Sequence, residues 1–250
     1  MRRWAPLLSI IFLIALQAQS PDNLFTEAQQ LYDEGEYSRA VDLYRQILKQ
    51  GKESSRVHYN LGNAYFRVGE LGEAILHWEK AKELNPRDQD IRFNLRVGRA
   101  RIQDRIDAPE PSFLIRIFNG IKYWLTLDEL GWSVGGIFLL GSLSFAVWRL
   151  VRKPLLVGLA GIVLGMSVLA LLLAGPLLVS RLLENANEEY GIVLVEEIKA
   201  RSGPQEFSTG IFILHEGTRV EVEEQRRQWY QIQLVDGKEG WIPASALGVI

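Results

Sequence analysis

The chain has 250 residues, of which 48% are hydrophobic and 23% charged, with a formal net charge of -2. This length allows one large domain or two small ones, and the near-neutral balance argues against a general nucleic-acid binder. No cysteine and only 3 histidines are present. Disulfides, thiol nucleophiles, Cys-based metal sites and lipidated cysteines are thereby excluded, and zinc chemistry has little to work with.

Arg2 and Arg3 precede an apolar run, Leu7 to Leu16, broken only by Ser9, and Ala18, Gln19 and Ser20 follow. That order is the signal-peptide pattern. Residues 1–20 are therefore expected to be a signal peptide, with an uncleaved signal anchor as the alternative.

Residues 21–107 read as helical, with apolar residues at helical spacing and no alternation of the strand kind. Two stretches align at an offset of 34: Gly35, Ala40 and Tyr44 against Gly69, Ala74 and Trp78. That is the tetratricopeptide (TPR) period. Gly62 and Ala74 suit close helix approach, Tyr65 and Trp78 suit the space between hairpins, and Pro86 suits a helix stop. Helices are expected near 23–34, 38–50, 56–68 and 72–85. Because two repeats rarely bury enough surface, the segment 88–106 is expected to add a capping helix. Ile91, Leu95, Ile102 and Ile106 form its apolar stripe, and Arg92, Arg96, Arg99 and Arg105 a solvated face. Ala108 to Pro111 then forms a stiff linker.

Residues 113–125 carry Leu114, Ile117, Phe118, Ile121 and Trp124 on one helical face, punctuated by Arg116, Asn119 and Lys122. This suits a helix lying in the membrane interface, within a linker region 108–129. Two uncharged stretches follow, Trp132 to Trp148 and Leu155 to Ser180. Each is long enough to cross a bilayer, so transmembrane helices are expected over 130–152 and 154–180. The turn between them holds Arg152 and Lys153, with Arg149 nearby, and no acid. The positive-inside rule makes that turn cytoplasmic and puts both flanks on the exported side. Gly131-x-x-x-Gly135 and Gly161-x-x-x-Gly165 offer small-residue contacts, most simply between the two spans.

From residue 190 to 250 the period becomes two. Ile192 and Leu194, Val220 and Val222, and Tyr230, Ile232 and Leu234 alternate as half-buried strands do. Turn signals at Ser202-Gly203-Pro204, Glu216-Gly217 and Asp236-Gly237 separate five or six short strands, enough for a small barrel.

The last zone resembles a bacterial SH3-like domain in Ala200 to Pro204, Leu214 to Gly217, Val220, Val222, Trp229, Asp236-Gly237 and Gly240-Trp241-Ile242-Pro243. Signal, short TPR array, interfacial helix, two-span hairpin and C-terminal barrel follow in the order of the E-type proteins of the Bacteroides aerotolerance (Bat) family. The run Tyr59 to Tyr65, Asn94-Leu95 and the Gly-Trp-Ile-Pro motif carry that resemblance. It implies a multidomain membrane protein with all-α TPR hairpins, a two-helix transmembrane hairpin and a small all-β barrel. It further implies an accessory role in stress tolerance and envelope integrity at the bacterial inner membrane. The partners it implies are other Bat-type membrane proteins, with von Willebrand A domains.

No catalytic constellation stands out. His58, His77 and His215 lack metal-ligand spacing, with His58 at a packing position, and no nucleotide or hydrolase fingerprint occurs. The expected chemistry is binding, with no cofactor or metal and no enzymatic activity. The TPR groove would present Phe25, Gln29, Tyr59, Asn60, Asn63, Arg67 and Asn94, whose amides can hold an extended peptide backbone. On the barrel, Tyr230 and Trp241 are the surface candidates, although Trp229 and Trp241 better suit a core. A partner protein in the groove and peptidoglycan on the barrel are the two binding modes these surfaces allow.

Overall fold

In a computed structural model of the chain, residues 20–106, 112–187 and 189–250 are described. The signal segment up to Gln19 and the Ala108–Pro111 linker lie outside them.

Five helices open the fold: α1 (Pro21–Asp33), α2 (Tyr37–Lys49), α3 (Ser55–Val68), α4 (Leu71–Leu84) and α5 (Gln89–Arg99). Ser20, Ser54 and Asp88 start α1, α3 and α5, each side chain accepting a bond from a first-turn amide, as small polar caps do. Gly69 takes the left-handed conformation (φ 97°) that ends α3. Trp78 of α4 is fully buried beneath Gly62 of α3. A Cβ at Gly62 would lie 2.6 Å from the indole, so only glycine admits that ring. Burying each large apolar side chain of this core stabilises by about 1.5–3 kcal/mol.

The capping helix is shorter than the apolar stripe predicts. It stops at Arg99, and tight turns follow, with Arg101 N–H bonding to the Gly98 carbonyl. Ile102 still packs on the repeat core, but Ile106 joins the core of the C-terminal barrel. The physical reason is Asp104, whose carboxylate takes bonds from the barrel's His215 and Thr218. Arg99 also departs from expectation. It pairs with the buried Glu79 rather than facing only solvent.

Helix α6 (Phe113–Lys122) leaves Leu114, Ile117, Phe118 and Ile121 exposed. Lys122, expected among its polar punctuation, is instead buried, and its ammonium donates to Ser180 Oγ at 2.6 Å. Two long helices follow, α7 (Leu127–Leu150) and α8 (Pro154–Asn187). Thr126 and Glu129 form a reciprocal capping box at the start of α7. Leu127–Leu150 and Pro154–Leu183 are long and apolar enough to cross a membrane. They pack together through Gly141 against Ser167. The Gly-x-x-x-Gly pairs do not make that contact. Added Cβ atoms at Gly131, Gly135 and Gly165 would meet nothing, and one at Gly161 only the edge of Trp148 at 4.0 Å.

The C-terminal part is an antiparallel sheet of seven strands, one or two more than the turn signals predict. They are β1 (Glu189–Val193), β2 (Glu197–Arg201), β3 (Gly210–His215), β4 (Arg219–Arg226), β5 (Trp229–Gln233), β6 (Glu239–Pro243) and β7 (Leu247–Val249), in the order β3-β2-β6-β5-β4-β1-β7. The last strand, β7, follows a single 3₁₀ turn and pairs back onto β1. Ala200, Leu214, Val220, Ile232, Ile242 and Leu247 share one apolar cluster, so the sheet wraps a single core.

The repeats and the barrel are in direct contact. Ile192 of β1 is part of the repeat core, where Leu194 and Ile250 also pack. Glu216, in the turn between β3 and β4, accepts a 2.7 Å bond from the Gly72 amide in the first turn of α4. The residue preceding that helix, Glu70, provides no side-chain cap. The barrel thus supplies what the repeat lacks.

Candidate protein-binding groove

Helices α1, α3 and α5 are linked by side chains along one face. Asn63 Oδ1 accepts from Trp78 Nε1 at 3.0 Å and from Asn94 Nδ2 at 2.8 Å, and Asn94 Nδ2 also approaches the Tyr59 hydroxyl at 3.4 Å. Both lone pairs of Asn63 Oδ1 are therefore engaged. Its first task is to hold Trp78 and α5 in place. Its amide hydrogens are left to donate to other partners. Asn60 Nδ2 turns back to the Arg56 carbonyl at 2.9 Å, a local bond within the helix.

A second group forms around Arg56. Its guanidinium lies 4.3 Å from the Phe25 ring centre and donates to Gln29 Oε1 at 3.5 Å. Phe25 in turn meets Tyr44 edge-on. Arg67 stands apart, over the Tyr37 ring at 4.5 Å and bonded to its hydroxyl. The expected residues thus divide into an Asn63–Asn94–Tyr59 network, a Phe25–Gln29 pair, the locally bonded Asn60 and a separate Arg67. Arg56 was not among them. Its position one helical turn before Asn60 is the signal that could have found it.

Behind this face, His58 and His77 are in contact, Nδ1 to Nδ1 at 2.9 Å, with Tyr65 stacked on His77. One imidazole must donate and the other accept, so the accepting ring is neutral. Burial drives His77 down to about 3, and the neighbouring His58, Lys80 and Arg45 add to the shift. Burial also lowers His58. Glu73 lies 3.9 Å from His77, a distance that would favour an ion pair. Burial outweighs that attraction, because it also raises the Glu73 carboxyl. Among the described residues no cluster of three His, Cys, Asp or Glu could hold a metal.

On the barrel, Tyr230 is half-buried on β5. Trp241 is 8% exposed and packs under the Arg226 guanidinium. Its place as a surface candidate is corrected: it lies in the buried middle of β6, as the core alternative requires. Asp104 joins the two soluble parts. Burial disfavours its charge, but bonds from Thr218 Oγ1 (2.7 Å), the His215 amide (2.8 Å) and the His215 ring (2.6 Å) hold its carboxyl below the usual range.

These features agree with the family comparisons. Residues 55–88 match the tetratricopeptide repeat, and residues 28–69 match a TPR repeat family. Residues 197–248 match the bacterial SH3 domain. No curated protein matches the chain. The fold is therefore a TPR-like helical region, two long apolar helices and an antiparallel sheet of the SH3 kind. TPR repeats indicate protein partners, and a bacterial SH3 domain suggests cell-wall binding.

Proposed function

We propose that the protein is a non-enzymatic, membrane-anchored scaffold whose TPR groove binds a partner protein on the exported side of the membrane. The observation that carries this reading is the pairing of Arg56 with Gln29 and Phe25 beside the Asn63–Asn94 network. It sets an amide, a guanidinium and an aromatic ring along one rigid face, the set that an extended peptide with an acidic side chain requires. The basic turn at Arg152 and Lys153 supports an exported location for both soluble parts. The order of parts supports partners of the Bat type with von Willebrand A domains, in an envelope stress-tolerance complex.

A second reading is a cell-wall-binding module. Its support is the bacterial SH3 match together with Phe207, which is 93% exposed in the loop between β2 and β3.

The test is affinity purification of the full chain from solubilised membranes, with mass spectrometry of what is retained. Arg56→Glu and Tyr59→Ala are expected to lower partner recovery about tenfold, the effect of losing an anchor worth about 1.4 kcal/mol. Asn63→Ala is the poorer probe, because it also releases Trp78. Recovery unchanged in both variants, with cell-wall sedimentation that depends on Phe207, would replace the scaffold reading with the second one.

A further inference from the structure

A cavity of about 520 Å³ opens where α4, the end of α8 and the barrel meet. This is the right size for a small polar ligand or headgroup. Its walls come from all three parts: Lys82 and Glu83 from α4, Arg181 from α8, and Arg219 and Glu221 from β4. Its level relative to the apolar helices is fixed. Arg181 stands in the last turn of the stretch Pro154–Leu183, and Tyr123 lies just before α7 begins at Leu127. The Arg181 guanidinium sits 4.9 Å from the Tyr123 ring centre. Arginine and tyrosine at helix ends mark the headgroup layer.

The charges in the cavity are mixed. Three bases, Lys82, Arg181 and Arg219, face three acids, Glu79, Glu83 and Glu221. Glu79 and Lys82 neutralise each other at 3.1 Å, and Arg99 also pairs with Glu79. Arg219 rests on the Tyr190 ring at 4.0 Å. Among the described residues neither Arg181, Arg219 nor Glu83 has an oppositely charged group within ion-pair distance. Glu221 is engaged by partners of its own, so the charges left to meet a ligand are two guanidinium groups and the Glu83 carboxylate. A simple anion would satisfy the first and repel the second.

We propose that this cavity binds a phosphodiester that carries a primary amine, the chemistry of a phosphoethanolamine headgroup. Arg181 and Arg219 take the phosphate, as guanidinium groups do, and Glu83 takes the ammonium. The ligand is either a bilayer lipid or its soluble headgroup, glycerophosphoethanolamine. The lipid source rests on the reading of α7 and α8 as membrane spans; the soluble source does not.

The full chain is reconstituted in nanodiscs holding equal parts of phosphatidylethanolamine, phosphatidylglycerol and phosphatidylcholine, and retained lipid is read by native mass spectrometry. Phosphatidylethanolamine is expected to be enriched about tenfold over the other two, the effect of one additional charge-assisted contact. R181A/R219A should abolish the enrichment, and R181K/R219K should restore part of it. Glu83→Gln should bring phosphatidylethanolamine down to the level of phosphatidylglycerol. In parallel, glycerophosphoethanolamine is titrated into the detergent-solubilised chain by calorimetry. Lipid enrichment alone assigns the bilayer source, and calorimetric binding alone assigns the soluble one. Enrichment of phosphatidylglycerol above phosphatidylethanolamine overturns the proposal. So does the absence of both signals, or enrichment that all three variants leave unchanged.

Discussion

His58 and His77 behave as packing residues with a chemical cost. The unfolded chain carries ordinary imidazoles near 6.5, whereas burial in the folded chain pulls His77 down to about 3. Between those values the unfolded state binds a proton that the folded state refuses. Stability is therefore complete above about pH 6.5 and is lost as pH falls. At pH 5 the loss from His77 alone is about 2 kcal/mol. Glu73, raised by the same burial, opposes it in part, since its folded form gains a proton on acidification. Lys80 and Arg45 also face the pair and disfavour its protonation. Thermal melts of the wild-type chain should fall markedly from pH 7.5 to pH 5, and those of H58N/H77N should be nearly flat. Equal slopes would show that the pair is not the acid-sensitive point. A packing position for His58 is readable in the repeat pattern. Its partner is not, because 19 residues separate the two and only the pairing of α3 with α4 brings them together.

The boundary between α4 and the barrel carries the next consequence. A Cβ at Gly72 would lie 2.5 Å from the Val193 carbonyl oxygen, a backbone atom that cannot step aside. Gly72→Val should therefore cost about 1–3 kcal/mol by overpacking. Glu216→Ala should cost about 1 kcal/mol by removing the only side-chain cap described for α4. Denaturation of the two variants in detergent, followed by tryptophan fluorescence, measures both, since Trp78 lies in α4. A Glu216→Ala variant as stable as the parent would mean that water caps the helix equally well. The helices themselves were legible because their caps and apolar spacing are local. The early end of α5 was not, because Asp104 is drawn away by donors more than a hundred residues later. The contact between the long helices is not legible in the sequence for a related reason. Small-residue spacing finds places where helices could touch, but the facing side, set by Gly141 and Ser167, depends on how the pair is rotated.

The molecule as a whole gives the second repeat two covers, α5 on one side and the barrel on the other. The repeat period shows the need for a cover, and 88–106 was assigned that task alone. The share taken by Ile192, Leu194 and Ile250 could not be read from a zone whose alternation suggests a self-contained barrel. A chain ended at Asn187 should therefore keep α1 to α3 but loosen α4. Hydrogen exchange of the α4 amides is expected to speed up by about tenfold or more, the equivalent of about 1.4 kcal/mol of lost protection. Unchanged exchange would show that α5 suffices.

Helix α8 leads to a mechanical consequence. It runs unbroken to Asn187, and β1 begins at Glu189, so a single position separates the long helix from the barrel. A stretch of 30 residues is about 45 Å long, against a hydrocarbon layer of about 30 Å. In a bilayer the excess is taken up by tilt, and the tilt depends on local thickness. Asp104 and Glu216 tie the barrel that follows α8 to the repeats. On the proposed reading of α8 as a membrane span, a change in its tilt is expected to re-orient the barrel, and the repeats held to it, relative to the bilayer plane.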